Sequence, residues 1–178
     1  MLKRQFVNSG SEATELALRM ARTVTGQKEI LAVEVGYHGN TMAAMEVSSY
    51  KFDSQGGGGK PEHTHILPLP DPYRGLHTKE KDLGSIYANY AQQHIDRLAL
   101  VDRGIAGFMG ESIISCGGQI VPPEGYFKAL YKTVRAAGGL CIADEVQTGF
   151  GRMGDHFRGF EMHGVITAIV MMGKAAGY

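Results

Sequence analysis

The sequence predicts an α/β fold: a three-layer sandwich with a mostly parallel central sheet covered by helices on both faces. Three observations carry this. Short, continuously apolar runs recur along the chain. They alternate with segments whose apolar residues repeat at helical spacing, the pattern of strands joined by crossover helices. Polar residues capable of chemistry, Tyr37, Glu111, Asp144 and Lys174, stand just past four of the apolar runs, where ligands bind in open α/β sheets.

Ser9-Gly10-Ser11-Glu12 opens the first helix, with Ser9 and Glu12 at capping-box spacing. Ala13, Leu16, Ala17, Met20, Ala21 and Val24 recur at helical spacing, and Gly26 can end the run. Ile30 to Val35 reads as a buried strand followed by Gly36-Tyr37-His38-Gly39. From Ser49 to Thr78 the glycine run 56–59 and four prolines read as a long loop. Ser85 to Ala99 reads as a helix, and Ile105 to Met109 as a strand with Gly110-Glu111-Ser112 at its end. Gly125 to Ala137 is an amphipathic helix with Tyr126, Phe127, Leu130, Tyr131 and Val134 inward, stopped by Gly138-Gly139. Leu140 to Ala143 is a strand ending at Asp144, and Val165 to Met172 is another ending at Gly173-Lys174.

The chain has 178 residues, 43% of them hydrophobic, and a formal net charge of zero. That is enough for one domain with a substantial core. The balanced charge gives no electrostatic case for nucleic acid or an anionic membrane, and no apolar run is long enough to span a bilayer. Residues 1–9 are basic only briefly and lack a signal-peptide core. Cys116 and Cys141 make no disulfide framework, which fits a reducing compartment, expected to be the cytoplasm. Cys116 reads as a small buried residue, and His38 has no partner at metal-ligand spacing. No zinc, P-loop or dinucleotide signature is present.

The strand-end residues suit pyridoxal phosphate. A carboxylate at Asp144 can pair with a protonated pyridine nitrogen: two unit charges about 4 Å apart interact by roughly 4 kcal/mol at an effective dielectric near 20. A protonated ring is the electron sink that such chemistry needs. Gln147 can donate to the phenolic oxygen or cap its own turn, and Val146 can pack on a ring face. Gly10 and Ser11 at a helix start offer N–H groups to a phosphate. Tyr37 can stack on the ring or serve as a core aromatic. Lys174 must be neutral to form a Schiff base, which burial and a nearby pyridinium would favour. Glu111 can orient groups around the substrate or pair with a cation.

Asn8-Ser9-Gly10-Ser11-Glu12-Ala13, Gly36-Tyr37-His38-Gly39, the run 143–152 from Ala143-Asp144-Glu145-Val146-Gln147 to Gly151-Arg152, and Met172-Gly173-Lys174 together resemble the class-III aminotransferases, fold type I enzymes that use pyridoxal 5′-phosphate. The resemblance runs over essentially the whole chain. It implies that Gly10 and Ser11 bind the phosphate, Tyr37 stacks on the ring, Asp144 holds the pyridine nitrogen, Gln147 contacts the phenolic oxygen and Lys174 carries the aldimine. His38, Glu111 and Val146 are counted with the cofactor-binding residues, and Lys174 and Asp144 are the catalytic pair. Glu111-Ser112 stands where plainer transaminases carry Glu-Pro. The run 111–120 and Ser49-Tyr50-Lys51-Phe52 are similar to the branch holding ethanolamine-phosphate and phosphohydroxylysine phospho-lyases and alanine–glyoxylate aminotransferase-like proteins. Thr167-Ala168, Thr14 and Arg158 depart from the usual family residues.

The implied activity is transamination of an amine or amino acid to a keto or aldehyde acceptor, with phosphate elimination from a phosphorylated amine as the alternative. A third reading, from the lengths of family members, is a non-catalytic fragment. Residues 1–178 are then expected to form part of a cofactor-binding large domain, without the family's N-terminal segment and small C-terminal domain. A homodimer is implied, cytoplasmic unless a preceding transit peptide directs it to mitochondria.

Overall fold

The computed structural model describes residues 4–176. Met1 to Lys3, which belong to the N-terminal segment read above, lie outside them. The described residues hold a five-stranded parallel sheet in the order β2-β1-β3-β4-β5. Its strands are β1 (Glu29–Val33), β2 (Thr64–Leu67), β3 (Ile105–Glu111), β4 (Leu140–Glu145) and β5 (Ile169–Met172). The helices are α1 (Gly10–Thr25), α2 (Met42–Glu46), α3 (Ser49–Phe52), α4 (Leu83–Ala99) and α5 (Tyr126–Ala136).

The core divides into two layers because successive strand residues face opposite sides. Leu31, Val33, Phe108 and Cys141 pack beneath α4 and α5 with Tyr87, Tyr126, Phe127 and Leu130. Ile30, Ala32, Met109 and Ile142 pack beneath α1 with Ala17, Leu18 and Ala21. The three-layer sandwich expected from sequence is the observed one. The chain runs from β1 to β2 on one side and then returns to β3 on the other. That reversal leaves a crevice at the carboxyl ends of β1 and β3.

Several elements differ from the sequence reading. The buried stripe of α1 is Thr14, Ala17, Leu18 and Ala21, while Met20 is 41% and Val24 72% exposed. Apolar spacing misplaced this face because its first member is a threonine, made tolerable in the core by donating its hydroxyl to His38 O at 2.6 Å. The supposed loop 49–78 holds α3 and β2. Strand β2 was missed because it is a four-residue edge strand, Thr-His-Ile-Leu, with prolines close on either side. Strand β1 stops at Val33, and Val35 takes a left-handed φ of 56° that breaks the extended run. The ladder of β5 begins at Ile169 opposite Ile142 rather than at Val165. Before it, Thr167 Oγ1 donates to Cys141 O at 2.6 Å. Cys116 is exposed, not buried.

Candidate cofactor site

Ser9 caps α1 in an extended conformation, its Oγ accepting from Glu12 N at 3.1 Å. The reciprocal half of the box is shifted by one residue: Glu12 Oε2 accepts Asn8 N–H at 2.8 Å. Ala13 N–H bonds Ser9 O, so the N–H groups of Gly10 and Ser11 are left without a partner among the described residues. A helix start of this kind favours an anion. A Cβ on Gly10 would lie 3.0 Å from a Val146 methyl, and one on Gly173 would lie 3.2 Å from the other. Val146 therefore wedges the start of α1 against the ends of β4 and β5. Ser11 Oγ accepts Asn40 N–H at 3.0 Å and keeps its own hydrogen to donate.

Three carboxylates stand at neighbouring strand ends, and their partners give them different roles. A carboxylate has about four acceptor positions. Glu145, fully buried, fills them with Ser112 Oγ, Thr148 Oγ1 at 2.7 Å, Gly159 N at 2.6 Å and Phe160 N at 2.9 Å. It ties the 148–160 segment to the sheet. Glu111 accepts from Tyr37 N at 3.2 Å, Ser115 N at 3.2 Å and Ser115 Oγ. Asp144, which pairs with Glu111 across the β3–β4 ladder, has two partners: Val146 N at 3.1 Å and His38 Nδ1 at 2.8 Å. Two of its acceptor positions remain.

His38 is buried, its backbone N–H held by Ser48 Oγ at 2.8 Å. Burial pulls the imidazole pKa down, but the Asp144 hydrogen bond and charge, with the charge of Glu111, outweigh it and leave the pKa raised. Its Nε2 is buried with no partner among the described residues. Gln147 Nε2 donates to Ser115 Oγ at 2.6 Å, so Gln147, Ser115, Glu111 and the Tyr37 backbone form one connected chain. Tyr37 is half-buried, edge-on to Tyr50 at 6.0 Å between ring centroids. Cys116, though exposed as a residue, has its thiol pKa pushed up by partial desolvation and by the charge of Glu111, which argues against a nucleophile.

Lys174 begins a short 3-10 turn just past β5. It is exposed, not buried as expected, because nothing among the described residues covers that turn. The structure thus gathers Gly10, Ser11, Val146 and the backbone preceding Lys174 in one place, and links Asp144, His38, Glu111, Tyr37 and Gln147 by hydrogen bonds. Sequence reasoning missed Ser115, Thr14, Ser48 and Glu145. Only Glu145 carried a usable signal: adjacent to Asp144 on one strand, it must face the other layer.

The fold and site define a fold type I architecture, a parallel sheet with its chemistry at the carboxyl edge. The chain belongs to the class-III aminotransferase family, whose model matches residues 3–178. An alanine–glyoxylate aminotransferase 2-like protein of Drosophila melanogaster is 48% identical over 176 residues, spanning 97% of this chain and 36% of the relative. An ethanolamine-phosphate phospho-lyase homolog 1 of Caenorhabditis elegans is 41% identical over 184 residues, spanning 97% and 39%. A phospholyase from Arthrobacter, solved in complex with phosphoethanolamine, superposes with a TM-score of 0.85 at 36% identity, spanning 97% of this chain and 40% of that one. The chain therefore spans about two-fifths of the length of such relatives. Pyridoxal 5′-phosphate is the cofactor that membership implies, and the residues present fit it. Two N–H groups at the start of α1 have no partner among the described residues and could take a phosphate, Gly10 leaves no room for a larger residue, and Asp144 keeps acceptor capacity for a ring N–H.

Proposed function

We propose that this chain is the pyridoxal-phosphate-binding part of an enzyme that moves an amino group from an amine or amino acid to a keto-acid or aldehyde acceptor. The observation that carries this reading is the partly unsaturated Asp144 carboxylate, buried at the end of β4 and held by His38. When bound, the cofactor supplies an aldehyde for the amine and a ring that withdraws electrons from the substrate carbon. Asp144 keeps a proton on the ring nitrogen. His38 fixes the orientation of Asp144. Gly10 and Ser11 bind the phosphate through backbone N–H groups. Gln147, oriented by Ser115, donates toward the phenolic oxygen, and Tyr37 supplies an aromatic face. Lys174 Nζ would anchor the cofactor and would stand as the base for the substrate's α-proton.

A second reading keeps this site but eliminates phosphate from a phosphorylated amine. It is favoured by the two relatives whose names state that activity. A homodimer is part of the proposal, since Met20 and Val24 on α1 leave apolar surface for a second copy to cover. Cytoplasmic placement is proposed, with mitochondrial import as the alternative that some relatives' names suggest.

The test is reduction of the yellow protein with borohydride and mapping of the labelled peptide, followed by single-turnover reaction with an amine donor. Label on Lys174, and conversion to pyridoxamine phosphate when no acceptor is present, are expected. Label elsewhere removes the site assignment. Phosphate release from phosphoethanolamine without pyridoxamine phosphate replaces amino transfer with elimination.

A further inference from the structure

Lys51 is a lysine that the cofactor site does not use. It sits near the end of α3, whose Phe52 is buried and whose Tyr50 N–H bonds Gly36 O at 3.3 Å, fixing α3 against the Gly36-Tyr37 turn. Its Nζ lies over the Tyr37 ring, 5.5 Å from the centroid. An aromatic face attracts an ammonium but takes none of its three N–H donors. No carboxylate pairs with Lys51 among the described residues. The side chain also lines a cavity of about 560 Å³ between Met42, Met45 and the glycine turn. That turn folds tightly onto α3: Gly59 N–H bonds Phe52 O at 3.2 Å, and a Cβ on Gly57 would lie 2.6 Å from Lys51 O. The one carboxylate in the cavity wall, Glu46, is already bridged by His63 at 2.9 Å and reached by Arg22 at 3.9 Å.

A half-buried cation whose donors have no carboxylate partner among the described residues, held on the Tyr37 ring, is placed to take an anion. We propose that Lys51 is the substrate-recognising residue for a phosphomonoester carried by the amine substrate. A compact ammonium on a flexible stem suits a phosphate as a point charge, whereas a carboxylate is best met by the planar fork of an arginine. The proposal rests on the reading that Tyr37 faces the cofactor, and it deepens the phospho-lyase alternative by naming what selects the phosphate.

The experiment compares the full chain with Lys51→Ala and Lys51→Arg, binding phosphoethanolamine, ethanolamine and β-alanine in calorimetric titrations. Lys51→Ala is expected to weaken phosphoethanolamine by roughly tenfold or more, the scale of one charge-assisted bond, and to leave ethanolamine unchanged. Lys51→Arg is expected to restore most of the loss, and added salt to shrink it. Equal losses for phosphoethanolamine and ethanolamine, no loss for either, or a loss confined to β-alanine overturns the assignment. Borohydride labelling of each variant separates this failure from failure of the cofactor reading: label on Lys174 with unchanged phosphoethanolamine affinity sinks only the Lys51 role.

Discussion

Replacing His38 with phenylalanine tests whether the His38–Asp144 pair carries the energy its geometry implies. The substitution keeps a ring of similar size in a site where His38 is 3% exposed, so little cavity is created. It removes the 2.8 Å bond from Nδ1 to Asp144 Oδ2. Asp144, itself 6% exposed, is left with Val146 N–H alone. Removing one member of a buried pair costs about 3–5 kcal/mol, because the remaining charge stays buried and unpaired. For a chain of this size 1 kcal/mol moves the melting temperature by about 2–4 °C, so a fall of roughly 6–20 °C is expected. The pH dependence has a definite sign. The folded pKa of His38 is raised above the ordinary histidine value near 6.5, so the folded state binds the proton more tightly than the unfolded one. The pair's contribution is complete below about 6.5 and is lost as pH rises through the higher folded pKa. Urea denaturation of wild type and His38→Phe at several pH values measures this. A loss under about 1 kcal/mol, or a contribution that grows with rising pH, refutes the reasoning.

Glu145→Gln should cost about 3 kcal/mol, since an amide NH₂ would face the hydroxyl and backbone donors now bound by the carboxylate. Trypsin should then cut after Arg152 or Arg158 at lower protease concentration than in wild type; unchanged cleavage would show that Glu145 does not hold the segment. Gly39→Ala should destabilise well beyond Gly26→Ala. Both glycines have positive φ, 124° and 68°, but a Cβ on Gly39 would lie 2.6 Å from Ser11 Oγ while one on Gly26 meets nothing within 4 Å. Equal melting temperatures for the two variants would show that the Gly39–Ser11 approach carries no weight.

The parallel sheet was legible because its central strands are apolar on both faces, as in Leu140-Cys141-Ile142-Ala143. Helix α5 was legible because Tyr126, Phe127, Leu130, Tyr131 and Val134 mark one face, and all five are buried. Helix α1 misled because Thr14 is polar yet buried on a tertiary bond that local sequence does not show. The site divides in the same way. Gly10, Ser11, Asp144 and Lys174 announce themselves by standing at element ends. Ser115 does not, because its place between Gln147 and Glu111 depends on the turn after β3 meeting the turn after β4.

The adjacent acids Asp144 and Glu145 show why residue type alone cannot assign a role. Both are buried at the end of one strand. Alternation along the strand sends them to opposite layers. On one side Glu145 meets the returning 148–160 segment, whose donors fill its acceptor positions. A carboxylate so bound has no acceptor position left for a ligand. On the other side Asp144 meets His38 and Val146 N–H and stops there. The pair holds its orientation while leaving acceptor capacity toward the crevice between α1 and the strand ends. His38 holds one Asp144 oxygen through its Nδ1 without occupying the outward face of the carboxylate. The difference between a structural carboxylate and one that can grip a ring nitrogen is therefore the number of donors the fold delivers to it, a quantity fixed by chain crossings far apart in sequence.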